Sequence, residues 1–189
     1  MALTASPYGF LARKHPSGQS RANAYTLVNT ATTIGYGDPV KLGTDGLIVI
    51  AAAADDIIGI FAGVQYRDAT GKPTLSKNWP GSTAGATDIV AYVYDDAENI
   101  FEVQVGAGGT GYVQAVIGAQ ADVVIAAPNA VTGQSTSYLN ATPEAGAAQG
   151  QFRVIGFGSD GVYDATLNPF PTVLVQIAQH QYIANKVGI

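Results

Sequence analysis

The 189-residue sequence predicts an all-β protein, a small β-barrel or sandwich of about eight to ten short strands with an extended N-terminal arm and at most one short helix. Three observations predict it. The apolar runs are short, rich in β-branched and aromatic residues, and separated by clusters of Gly, Pro, Asn and Asp. Glycine supplies 23 of the 189 residues, about 12% against a background of roughly 7%. Hydrophobic residues make up an ordinary 47% while charged residues make up only 12%, about half the usual ~25%. That balance excludes ordinary disorder and disfavours long helices or coiled coils.

Residues 1–24 carry Pro7, Gly9, Pro16 and Gly18 without a periodic apolar run, and read as the arm. Inside it Tyr8, Phe10 and Leu11 form an apolar cluster that either folds back onto its own core or docks on a neighbouring chain. Residues 25–189 form the β-rich domain, with a second lobe after about residue 106 left open. Tyr25–Asn29 reads as a short strand. Gly37-Asp38-Pro39 marks a turn before a strand at Val40–Leu42, and Asp45-Gly46 is a hairpin dipeptide leading into Leu47–Ala51. Ala52–Asp56 turns the chain into Ile57–Tyr66, a long strand. Residues 67–87 read as a long surface loop holding Trp79, the single tryptophan, which is either a lid over its own core or a ligand platform.

Ile89–Tyr94 and Asn99–Val105 read as the clearest hairpin, the second member alternating Phe101, Val103 and Val105 with Glu102 and Gln104. Residues 111–119 suit a short helix. Further strands are expected at Val123–Ala126, Ser135–Leu139, Phe152–Phe157 and Thr172–His180, with a Gly- and Ala-rich loop at 140–150 and a tight turn at Ser159-Asp160-Gly161.

The chemistry-bearing residues are few. Nine basic against fourteen acidic residues give a net charge of −5, and the cations are scattered, which argues against nucleic-acid binding. Cysteine is absent, so disulfides, thiolate metal sites and cysteine nucleophiles are excluded. The most apolar window, Leu47–Val64, is broken by Asp55 and Asp56, which argues against a membrane span. The N-terminus lacks a basic and apolar leader pattern, so synthesis in a cytoplasm-like compartment is expected. Gly106-Ala-Gly108-Gly-Thr-Gly111 matches a dinucleotide-binding spacing, but the preceding strand is half polar and the following helix too short for a crossover, so a plain turn is preferred. Asp95, Asp96 and Glu98 offer closely spaced oxygens for a cation, yet they also make an ordinary turn, which is preferred. His15 and His180 lack metal-ligand spacing. No catalytic constellation stands out, so no enzyme activity and no cofactor is expected.

Several stretches, in order along the chain, resemble the head decoration or cement proteins of tailed phages. They are Pro7-Tyr-Gly-Phe-Leu-Ala-Arg-Lys-His15, then Gly37-Asp-Pro-Val-Lys-Leu42, then Ile57-Ile-Gly-Ile-Phe-Ala-Gly-Val64. Tyr92–Val105 and Val173–Tyr182 complete the pattern. The resemblance implies a non-enzymatic, β-rich protein that binds the major capsid protein on the outside of an icosahedral head as homotrimers. It is then made in the host cytoplasm and ends on the virion exterior. Tyr8, Phe10 and Leu11 become arm anchors, with Arg13 and Trp79 as further contact candidates. Low charge and ten tyrosines suit such a surface. A different reading is a receptor- or glycan-binding module of a fibre or tail, with its aromatic platform around Trp79.

Overall fold

A computed structural model describes residues 5–30, 32–144 and 148–184. They form an all-β structure of thirteen short strands in antiparallel sheets, without a closed barrel. The first sheet is five-stranded, in the order β1 (Leu11–Lys14), β8 (Ile100–Gln104), β13 (Thr172–Ile177), β12 (Phe152–Phe157) and β9 (Gln120–Ala121). The second is six-stranded, running β2 (Asn23–Thr26), β7 (Thr87–Tyr94), β5 (Gly59–Arg67), β3 (Pro39–Leu42) and β4 (Ile48–Ile50), with β6 (Pro73–Ser76) also paired to β5. β10 (Val123–Val124) and β11 (Tyr138–Leu139) form a small separate ribbon. A parallel bridge between Leu27 and Ile48 draws the two ends of the second sheet together, so it curls around its own interior without closing a ladder.

Two hydrophobic cores result. Phe10, Phe101, Val103, Tyr112, Phe152, Val175 and Ile177 belong to the core on the inner side of the first sheet. Leu27, Val40, Ile48, Phe61, Val64, Trp79 and Val93 fill the curl of the second. The chain entering β5 serves both: within each of the adjacent pairs Ile57–Ile58 and Ile60–Phe61 the side chains point to opposite sides, and the alternation skips between the pairs. Ile57 and Ile60 enter the first core, while Ile58 and Phe61 enter the second.

Several sequence expectations are met closely. β12 spans Phe152–Phe157, and Asp45-Gly46 sits in the turn joining β3 to β4, with Gly46 at φ +75°. Others need correction. β7 and β8 are not a hairpin: β7 pairs with β5 and β2, β8 with β1 and β13, and residues 95–99 carry the chain from one sheet to the other. The period-2 pattern correctly marks their buried faces, but those faces belong to different cores. The 67–87 segment is not all loop, since Pro73–Ser76 extends the sheet as β6. The helix expected within 111–119 is a single 3-10 turn, Gln114–Val116.

The N-terminal segment and the residues after 106 meet in the first sheet. Leu11–Lys14 is the edge strand of the first sheet, and Phe10 is 1% exposed with its ring stacked on Phe152 at 4.3 Å. That same sheet contains β9, β12 and β13, so residues after 106 build one layer with the N-terminal segment. A lone strand carrying Phe10 cannot bury its ring by itself, and the first sheet supplies the missing cover.

Candidate functional site

Of the five contact candidates, the structure brings three together and buries two. Leu11 lies opposite Glu102 in the β1–β8 register, which puts both on the outer face of the first sheet. The Tyr8 hydroxyl donates to Glu102 Oε1 at 2.8 Å, and Arg13 Nη2 donates to the same oxygen at 2.9 Å. Glu102 is largely covered while the Arg13 side chain is half exposed. Burial, and then the bond to Glu102, hold the Tyr8 phenol well above its ordinary range, so it remains a neutral donor. Beside this cluster, Arg13, Ile100, Glu102, Phe157 and Leu174 line a shallow groove of about 600 Å³. The groove therefore sets three apolar side chains, Ile100, Phe157 and Leu174, among three charged ones, Arg13, Lys14 and Glu102, with the Tyr–Glu–Arg triplet at one edge.

Phe10 and Trp79 point inward. Trp79 is fully buried in the second core, Tyr66 meets its ring edge-on at 5.5 Å, and its Nε1 donates to the Thr30 carbonyl at 3.3 Å. It is a lid closed on its own core, so the aromatic platform expected there is not at the surface. Phe10 likewise fills its own core and does not extend toward a neighbour. The sequence offers both side chains as apolar anchors but does not say which chain supplies the pocket.

The segment bearing Tyr8 is held by a buried polar knot. Asp38 is completely buried; its carboxylate accepts from the Ser135 hydroxyl, from Ser137 Oγ at 2.8 Å and from the Gly35 amide at 2.7 Å. Burial is the largest influence on Asp38 and raises its carboxyl above the ordinary range, although all three donors oppose it. Around it, the Phe10 amide donates to the Gly37 carbonyl at 2.9 Å, and the Gly9 amide to that of Ser137 at 3.2 Å. Gln134 Nε2 donates to the carbonyls of Tyr8 and Tyr36. Gly9 has φ +74°, and a Cβ there would lie 2.5 Å from that of Ser135. Only glycine fits.

The remaining chemical candidates have structural partners. Asp95 accepts from Asn23 Nδ2 and the Tyr25 hydroxyl, and its backbone carbonyl faces His180 Nε2 at 2.9 Å. The Tyr182 amide donates to His180 Nδ1, which places the ring proton on Nε2. His15 Nε2 lies 3.1 Å from Asp96 Oδ2. Both histidines thus brace the crossing between sheets. Among the described residues, no group of three or more His, Asp or Glu is placed to hold a metal ion. The Gly106–Gly111 segment is a turn, with Gly108 at φ +85° and the Gly106 amide donating to the Leu139 carbonyl. It leads only into the 3-10 turn, so it offers no helix terminus to a phosphate.

Sequence reasoning missed Glu102 as the hub of the outer face, although its outward position in the alternating β8 pattern was the available signal. It also missed Asp38, whose two serine partners lie about a hundred positions away. The chain matches no family model, no curated protein and no solved structure.

Proposed function

We propose that this chain is a head decoration protein of a tailed phage, seated on the outside of the capsid through the outer face of its first sheet and assembled as a homotrimer. The observation that carries the reading is the Tyr8–Glu102–Arg13 triplet beside the shallow groove of Ile100, Phe157 and Leu174. A patch in which Ile100, Phe157 and Leu174 lie beside a hydrogen-bonded Tyr–Glu–Arg set suits protein contact, because interfaces are enriched in tyrosine and arginine. The sequence resemblance supports the same reading. Repetition over the head would let a modest patch hold firmly, since many weak contacts act together.

The test is an electron-microscopy map of the virion. The proposal expects this fold as trimeric density outside the head shell; density on the tail, or none on the particle, overturns it. A second measurement uses heads made without this chain. Wild-type protein should restore decoration, whereas Leu174→Asp should fold and fail to bind. Full decoration by Leu174→Asp would remove this face from the interface.

A further inference from the structure

The second sheet carries an aromatic hollow that shares no residue with the face just described. Tyr36, Tyr92 and Tyr94 line a groove of about 490 Å³ together with Ala62, Gly63, Leu75 and Lys77. Its volume lies in the roughly 300–1,000 Å³ range of small-molecule sites. The hollow exists because β5 becomes small in its middle. Ala62 and Gly63 interrupt a strand otherwise built from Ile60, Phe61 and Val64, and Gly63 sits at a break in register with φ +140°. Missing side chains at the centre of a strand leave room for a close approach from outside. Leu75, 75% exposed, forms one wall.

The polar groups around the rings are hydroxyls, a carboxamide and one ammonium. The Tyr92 hydroxyl donates to Gln65 Oε1 at 3.0 Å, leaving its own oxygen able to accept. Burial, and then the neighbouring Tyr36, hold the Tyr94 phenol above its ordinary range. Lys77 Nζ lies 5.1 Å from the centre of the Tyr36 ring and donates to Gln134 Oε1 at 2.6 Å, with two further protons to offer. Lys77 is the only charged residue among those lining the groove, in a chain whose net charge is −5.

We propose that this groove binds an acidic saccharide. Tyrosine rings present electron-rich faces to the slightly positive C–H faces of a pyranose. Their hydroxyls, with the Gln65 amide, match the alternating donors and acceptors of sugar hydroxyls. The lysine is the complement of a carboxylate on the sugar. This inference does not rest on the decoration reading, because it uses another face and other residues.

The experiment titrates full-length protein, labelled with 13C in its tyrosine rings, with trigalacturonic acid, sialyllactose and a hyaluronan tetrasaccharide, and with lactose as the neutral control. At least one acidic sugar should shift the Tyr36, Tyr92 and Tyr94 signals saturably at concentrations up to about 5 mM. Tyr92→Ala and Lys77→Gln should each weaken binding about tenfold or more, and Lys77→Arg should retain it. Unchanged melting temperatures separate these losses from misfolding. The proposal is overturned by silence of all three acidic sugars, or by equal binding of lactose with Lys77→Gln indifferent. Ring signals that move with protein concentration alone also overturn it, because they mark the groove as a contact between copies.

Discussion

Replacing Phe10 with alanine distinguishes an N-terminal segment that is part of the core from one that is an appendage. In the structure the ring is 1% exposed and stacked on Phe152 with 4.3 Å between centroids. Burying a phenyl group contributes roughly 1.5–3 kcal/mol, and a stacked pair adds about 0.5–1.5 kcal/mol. The vacated space adds a cavity cost, so Phe10→Ala should destabilise the protein by about 3–5 kcal/mol, the usual span for a buried phenylalanine. Equilibrium urea unfolding followed by far-UV circular dichroism gives the number, and an unchanged m-value shows that two-state behaviour persists. Deleting residues 1–20 should be worse still, because it removes β1 as well. A Phe10→Ala loss below about 1 kcal/mol would refute the reasoning, since only an exposed side chain is that cheap to truncate.

Other outcomes follow from single contacts. Gly9→Ala should cost about 2 kcal/mol or more, combining a left-handed backbone with a clash against Ser135, whereas Gly18→Ala, at φ +87° with no described atom within 4 Å, should cost nearer 1 kcal/mol; thermal melts rank the two. Gln181 holds Leu42 by both amide and carbonyl, at 2.7 and 3.1 Å, so Gln181→Ala should cost about 1–3 kcal/mol and speed hydrogen exchange at the Leu42 amide. Asp38 binds its proton more tightly folded than unfolded, so its contribution is most favourable below the unfolded value of 3.8 and declines as pH rises through the raised folded value. Subtracting the stability of Asp38→Asn from that of wild type should therefore give a difference that falls with pH across that window. A difference that rises instead contradicts the burial argument.

Much of the fold was legible because strands advertise themselves locally. The β12 run Phe152–Phe157 and the β3–β4 hairpin depend on β-branched residues and a turn dipeptide that lie together in sequence. What stayed hidden was the assignment of strands to sheets. Alternation in β7 and β8 tells which side chains are buried but not which core receives them, so a crossing between layers looks the same as a hairpin. β6 reads Pro-Thr-Leu-Ser, with its one large apolar residue turned to solvent, and nothing in those four residues separates it from loop. The candidate surface was legible in part. Tyr8, Leu11 and Arg13 stand out as a local cluster, but the carboxylate that organises them enters from about ninety residues away.

The two-sided entry into β5 has a consequence for how the molecule comes apart. Ile57 and Ile58 are adjacent yet bury in different cores, as do Ile60 and Phe61. A short stretch of backbone is thus a shared wall, and loosening it exposes both interiors at once. Neither interior can melt while the other stays intact, so heating should produce one calorimetric transition. A protease cut within residues 57–61 should therefore release no half that stays folded. A protein built this way tolerates clipping at its surface turns and fails as a whole when the shared strand goes.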